Sequence, residues 1–491
     1  MRSRIARVAM ASAGAQVIGE IISLVQTIVL ARVLGPEIVG VFAAGTVLTT
    51  FLANFAEGGM RSGLIQRERD LADAAETVFR GTIVTGFLMS LGALAAAPLV
   101  AIVFDSSTAG VVAATSSGAL LLYSLTNVPE AMLQREFSVK RRLIVGPTVA
   151  ISFAIVSVTM ALLGFGVWSL IVGTYVSYVA WVAAVWLITD WRPGRGRASF
   201  RMWRELARFG FPLVMGFVGA RFQQMVESIV VGRGLSTTAL GYYRYGVRIS
   251  RIPVNATLEV VSNALFPAFS RIAGDTARLR ASFLQALSFL TFFAAAIAGL
   301  AIALGVPAVV IVLGEPWRGA GVAVMAMAGL GLGKAFTAVS EETMKGCGRT
   351  PLLNYLTVTE VVLGIGLLLL IIPFGLVGVG LAISLTALAV GTQGLVLVRP
   401  LAGITGAEVL RIVVPALLAA AIATASTAAL EHLVLHSDTR PVVLGLAFLV
   451  VDVLAFLAVY VPLMLLLAPH TVRPIVRTIV RVLGRLRSRL A

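Results

Sequence analysis

The 491-residue chain is 58% hydrophobic and only 13% charged, with a mean hydropathy of +0.97. A soluble domain carries about 25% charged residues, so this composition excludes a soluble globular protein and points to an all-α polytopic membrane protein. The net charge of +16 raises nucleic acid as a partner, but the basic residues lie between apolar segments, where orientation in a membrane accounts for them and no nucleic-acid partner is needed.

Hydropathy predicts about fourteen transmembrane helices. The first segment, 8–33, follows a basic start and a small-residue stretch that resembles a cleavage site. No apolar region precedes that site, so the segment is read as an uncleaved first span. It carries Gln16, Glu20, Ser23 and Thr27 at helical spacing. Segment 39–60 adds Thr50, Asn54 and Glu57, with Arg61 just beyond. Segments 78–104, 109–132, 144–164 and 167–189 complete a first group of six. A Pro/Gly/Arg-rich stretch (DWRPGRGRASFRM, from Asp190) then reads as a basic cytoplasmic linker, 190–204, between two bundles.

Segment 206–233 carries Arg221, Gln224, Glu227 and Ser228. Segment 239–268 is the most informative of the chain. Arg244, Arg248, Arg251, Asn255, Glu259 and Asn263 follow at steps of three and four, so all six share one helical face. A charge at membrane depth costs about 2.5–3.5 kcal/mol on insertion scales. Such a stripe therefore faces a water-filled path or a charged partner, and its excess of arginine suits an anion.

Segments 282–312 (expected to break near Pro307), 318–344, 351–373 and 375–398 close a second group of six. Segments 406–430 and 441–468 are two additional helices. Glu360 and Asp452 lie at depth, where they form a second coupling site or pair with Lys334. The remaining chain, 469–491, places Arg473, Arg477 and Arg481 on one face, as a basic amphipathic helix on anionic membrane lipid does. Most of the 39 basic residues fall on one side of this arrangement. By the positive-inside rule both termini are cytoplasmic.

Residues 31–42 align without gaps on residues 232–243. Arg32 meets Arg233, Leu34 meets Leu235, Gly40 meets Gly241, and the same offset sets Asn54 on Asn255. Six segments separate the copies, so they are parallel repeats, an arrangement typical of transporters with alternating access.

Neither a P-loop nor a GxSxG element is present, and no catalytic residue is assigned. The single cysteine, Cys347, excludes an internal disulfide and a Cys-based zinc site. His432 and His436 stand at metal-ligand spacing but belong to a polar outer loop, and no metal or other cofactor is expected. Guanidinium groups bind phosphate bidentately, so Arg221, Arg248 and Arg251 suit a diphosphate, with Asn255, Gln224 and Asn54 as polar neighbours. Glu20, Glu57, Glu227 and Glu259 are the candidates for coupling to a proton or sodium ion. Their proton affinity rises on burial and falls beside arginine.

The runs LARVLGPEIVGVFAAGTVLTTFLANFAEGGMRSGLIQ (from Leu30), NVPEAMLQREFSVKRR (from Asn127) and GLSTTALGYYRYGVRISRIP (from Gly234) resemble bacterial polysaccharide flippases. These are the polysaccharide transporter branch of the multidrug/oligosaccharidyl-lipid/polysaccharide exporter superfamily. The resemblance covers most of residues 5–400. It implies two six-helix lobes, 1–189 and 205–399, around a central cavity, with the additional helices in 400–468. It also implies export of a polyprenyl-diphosphate-linked oligosaccharide from the inner to the outer leaflet of a bacterial plasma membrane, alongside polysaccharide polymerase or ligase machinery. The diphosphate-sugar head would sit on Arg221, Arg248 and Arg251. The rival readings are a drug/cation antiporter of the same superfamily, a membrane-embedded glycosyltransferase, ligase or polymerase, and a non-transporting envelope scaffold.

Overall fold

A computed structural model describes the backbone of residues 2–56, 59–136 and 141–469. Among these, the side chains of 2–18, 20, 56, 142, 211–217, 220 and 256–264 are not described. The described residues form helices and turns without a strand. In lipid every backbone N–H and C=O must be satisfied within its own segment, which a helix achieves.

The chain divides into two compact units, Met1–Gly241 and Tyr242–Ala491. The first contains α1 (Arg2–Gly45), α2 (Val47–Ala56), α3 (Met60–Gln66), α4 (Leu71–Ala95), α5 (Ala97–Phe104), α6 (Ser107–Ser116), α7 (Ala119–Ser124), α8 (Asn127–Arg135), α9 (Gly146–Leu162), α10 (Val167–Ile188) and α11 (Phe200–Gly234). Helix α12 (Thr237–Ile272) begins at the end of the first unit. The second continues with α13 (Thr276–Leu313), α14 (Arg318–Ala326), α15 (Gly329–Gly346), α16 (Leu352–Ile371), α17 (Gly375–Ala402), α18 (Gly406–Leu430) and α19 (Val442–Leu467).

Among the described residues the hydropathy segments fall on helices or broken runs of helices, with α1 reaching from the first segment into the second. Among the described residues, nine stretches are long and apolar enough to cross a membrane, and a bent pair, Glu315–Ala326 with Gly329–Gly346, makes a tenth. The expected break at Pro307 does not occur. Helix α13 runs through it because α14 packs closely there: a Cβ on Gly321 would lie 2.7 Å from Val306 Cα. The break falls instead between α14 and α15, with a bend of 43°.

The two copies of the repeat meet in the first unit. Helix α1 turns sharply at Gly35 (φ 72). The equivalent turn between α11 and α12 is capped by Ser236, whose Oγ accepts from Ala239 N at 3.0 Å. Beyond these turns the backbones touch. A Cβ on Gly40 would lie 1.8 Å from the carbonyl oxygen of Thr237, and one on Gly241 would lie 2.2 Å from that of Pro36. Only glycine permits this approach. The contact is reciprocal, since Pro36 and Thr237 are themselves equivalent in the repeat.

The linker expected at 190–204 is fastened to α4. Gly194 N donates to Glu76 Oε2 (2.7 Å), Arg197 N to Asp73 Oδ1 (2.8 Å) and Ser199 N to Thr77 Oγ1 (3.1 Å). Trp191 is buried against Phe79 and Trp186. In the second unit, Gly329 and Gly333 of α15 lie against Ser384 and Ala387 of α17, the small-residue packing that membrane helices use. Helices α18 and α19 bury Ala419, Ala423, Phe456 and Tyr460 against Phe292 and Ala295 of α13, so they are part of this unit's core. Leu187, Val443 and Leu370 stay exposed as part of an apolar skin that suits lipid.

Candidate functional site

The arginine stripe lies on α12. Arg248, Arg251 and Asn255 are exposed along one face of that helix, and Arg244 is half-buried. The opposite face is packed within the second unit. Tyr245 is buried with its ring 4.2 Å from that of Trp317, a Cβ on Gly246 would press on Ala323, and Val254 is buried against Gly331. Helical period thus fixes which side chains lie away from that packing: those three or four residues apart on the side opposite Tyr245 and Val254. No ion pair engages Arg251 among the described residues. Glu259 and Asn263, further along the stripe, lie outside the described side chains.

Arg221 and its neighbours belong to the first unit, on α11. Arg221 is exposed and its Nη1 donates to Gln224 Oε1 at 3.2 Å. Glu227 is almost fully buried and its Oε1 accepts from Gln223 Nε2 at 2.8 Å. Asn54, on α2, spends its amide on its own helix, donating to the carbonyls of Thr50 (2.9 Å) and Phe51 (3.2 Å). That leaves its Oδ1 for other contacts. Glu20 and Glu57 lie outside the described side chains.

Of two further polar clusters, the first was not singled out by sequence. In the first unit Glu130, 4% exposed, receives Arg61 Nη2 at 3.5 Å, Arg141 Nε, and Trp181 Nε1 at 3.3 Å. These partners come from three separate segments, so spacing alone could not join them. The signal available was Glu130 itself, an acid flanked by apolar residues inside NVPEAMLQR. In the second unit Lys334 Nζ pairs with Glu360 Oε1 at 2.7 Å, across α15 and α16. This selects one of the two partners open to Lys334. Asp452 is elsewhere, enclosed by α13, α18 and α19.

The sequence pattern of a family described as "Polysaccharide biosynthesis protein" matches residues 29–321. The chain belongs to the polysaccharide biosynthesis protein family. Over 291 residues it is 25% identical to the succinoglycan biosynthesis transport protein ExoT of Rhizobium meliloti (strain 1021), covering 59% of this chain and 58% of that protein. Over 273 residues it is 22% identical to the lipopolysaccharide biosynthesis protein WzxC of Escherichia coli (strain K12), covering 54% of each. The chain thus matches a little over half the length of these curated relatives. Among solved structures, the inward-closed lipid II flippase MurJ superposes with a TM-score of 0.75 at 15% identity, over 93% of this chain and 98% of that one. An inward-facing multidrug resistance MATE family transporter of the MOP superfamily gives 0.61 at 16% identity, over 78% and 94%. The fold is therefore the all-helical one these proteins share, and the chain is a multi-pass membrane protein.

Proposed function

We propose that this protein is a flippase. It carries a polyprenyl-diphosphate-linked oligosaccharide from the inner to the outer leaflet of a bacterial plasma membrane, for assembly of a cell-envelope polysaccharide. The observation that carries the reading is the exposed Arg248–Arg251–Asn255 face on a helix within a membrane protein. An exposed guanidinium pair one turn apart matches a diphosphate in charge and in geometry, whereas an organic cation calls for carboxylates and aromatic rings. Family membership and the fold support the same choice.

Arg248 and Arg251 hold the diphosphate, and Asn255 bonds the first sugar. Arg221 and Gln224 offer a second polar group, and Asn54 a third. The head group is exposed to one side of the membrane and then the other while the polyprenyl chain stays in lipid. An ion resets the cycle, with Glu227 as the described coupling candidate beside Glu20, Glu57 and Glu259. The fourteen helices leave both termini in the cytoplasm. There the basic end of the chain, outside the described residues, lies on anionic lipid within reach of polymerase or ligase machinery.

The test is the lipid-linked sugar pool after depletion of the protein, each leaflet probed separately. A polyprenyl-diphosphate glycan should accumulate facing the cytoplasm. Wild type should clear it, and Arg248→Ala and Arg251→Ala should each clear it at least tenfold more slowly, the loss expected when about 1.5–3 kcal/mol of charge-assisted bonding is removed. An unchanged pool of normal sidedness would remove the flippase reading and bring drug antiport forward.

A further inference from the structure

The two additional helices enclose a pair of carboxyl groups that the proposed transport path does not use. Asp452 of α19 is 0% exposed and Glu431, at the end of α18, is 1% exposed. The Glu431 carboxyl faces that of Asp452. Neither Asp452 oxygen accepts a hydrogen bond from any donor among the described residues, and the buried Thr427 Oγ, one helical turn before Glu431, has no partner either. Glu431 is held from the other side, accepting from Ser437 N at 2.8 Å and from Ser437 Oγ at 2.6 Å. The chain around it departs from α-helix into a π-turn, Glu431–Leu435, a distortion found often at functional sites.

Among the described residues no cation faces this pair. Helix α13, packed against both α18 and α19, carries no ionisable residue between Ser282 and Leu313. On α18 the next basic group is Arg411, far along the helix, and His432, in the π-turn, is exposed. In the connecting loop Asp438 is bound by Arg318 at 2.8 Å, while His436 and Arg440 are exposed. Tyr460, on α19, gives its proton to Phe292 O at 2.8 Å. Beneath the pair lies the apolar packing of Ala423 and Phe456. Two carboxylates that face each other in such surroundings cannot both be ionised. A proton on one converts two opposed acceptors into a donor and an acceptor and so supplies the missing hydrogen bond.

We propose that Asp452 and Glu431 form a proton-binding site in the α18–α19 hairpin, holding one exchangeable proton between their carboxyls. The Ser437 loop covers the site. Displacing that loop withdraws two hydrogen bonds from Glu431 and opens the pair to water, so proton exchange is gated by the loop that Arg318 and Asp438 tie down. The hairpin thereby supplies an ion site separate from the arginine face, whatever substrate that face carries.

The experiment is pH-difference infrared spectroscopy of the purified full chain in lipid nanodiscs. Wild type should show a carboxylic-acid C=O band at neutral pH that shifts in D₂O. Asp452→Asn should abolish it, and Glu360→Gln, at the part-buried pair with Lys334, should leave it in place. Ser437→Ala removes the hydrogen bond from Ser437 Oγ to Glu431, so the band should shift in frequency from its wild-type position; this arm stands even if Asp452→Asn fails to fold. Absence of a protonated carboxyl band in wild type overturns the proposal. So does a band that survives Asp452→Asn, or one that added sodium displaces, which would make this a metal-cation site. None of these readouts involves a substrate, so they are independent of the flippase test.

Discussion

Glu76 shows what one buried charge does in this chain. Its two oxygens join Arg80 of α4 to Gly194 of the linker, so one carboxylate fastens a segment whose composition reads as a loose tether. Glu76→Ala leaves the Gly194 N–H unsatisfied and should lower stability by about 1.5–3 kcal/mol, seen as an earlier thermal transition in detergent. An equal melting temperature would mean that the Asp73 and Thr77 contacts alone hold the linker. The exposed face of α12 at Arg248, Arg251 and Asn255 was legible because its signal is local: polar residues at helical period in one apolar segment. Glu130 was not legible as a site, and Asp452 was legible only as an acid at depth, with its partner left open. What defines each is the company it keeps across segments far apart in sequence, and hydropathy records only that an acid is present. Asn54 was legible as polar and at depth, but not as an amide already bonded to its own helix.

Between elements, membrane helices are held by close approach and by polar pairs, and each makes its own prediction. Alanine at Gly40 or Gly241 drives a Cβ into a backbone carbonyl. Either change should cost about 1–3 kcal/mol or more, while Gly92→Ala, whose Cβ meets nothing within 4 Å, should be neutral or slightly stabilising. Thermal melts of the three variants separate a backbone crossing from a general intolerance of alanine. Lys334 and Glu360 are each about one-third exposed (33% and 37%), which reduces what their pair is worth. Lys334→Met alone should still be less stable than Lys334→Met with Glu360→Gln, by about 1 kcal/mol, because the single change strands a carboxylate in the membrane. Equal stability would show that the pair is solvated. Helix positions followed from apolar length alone. The interruptions at Thr46, Ser117 and Met327 did not, because hydropathy is blind to where a helix stops bonding its own backbone.

For the whole molecule, sidedness is the first quantity to establish, and Cys347 is a natural reporter at the end of α15. Burial raises the pKa of its thiol, so a membrane-impermeant maleimide is best applied at mildly alkaline pH. Labelling is expected in inverted vesicles and not in intact cells, and the reverse result would invert the proposed topology. Truncation before α18 should leave no stable protein, because it bares Phe292 and Ala295 on α13. The loss would appear as aggregation on size-exclusion chromatography. The crossing of Gly40 and Gly241 is reciprocal. Residue 36 meets 241 while residue 237 meets 40, which is the pattern of an isologous contact between identical subunits. In a contact of this form neither glycine can change alone: a Cβ at 40 presses on residue 237 and one at 241 presses on residue 36. The two turns are therefore constrained as a pair, and a side chain added to either should disturb the same crossing.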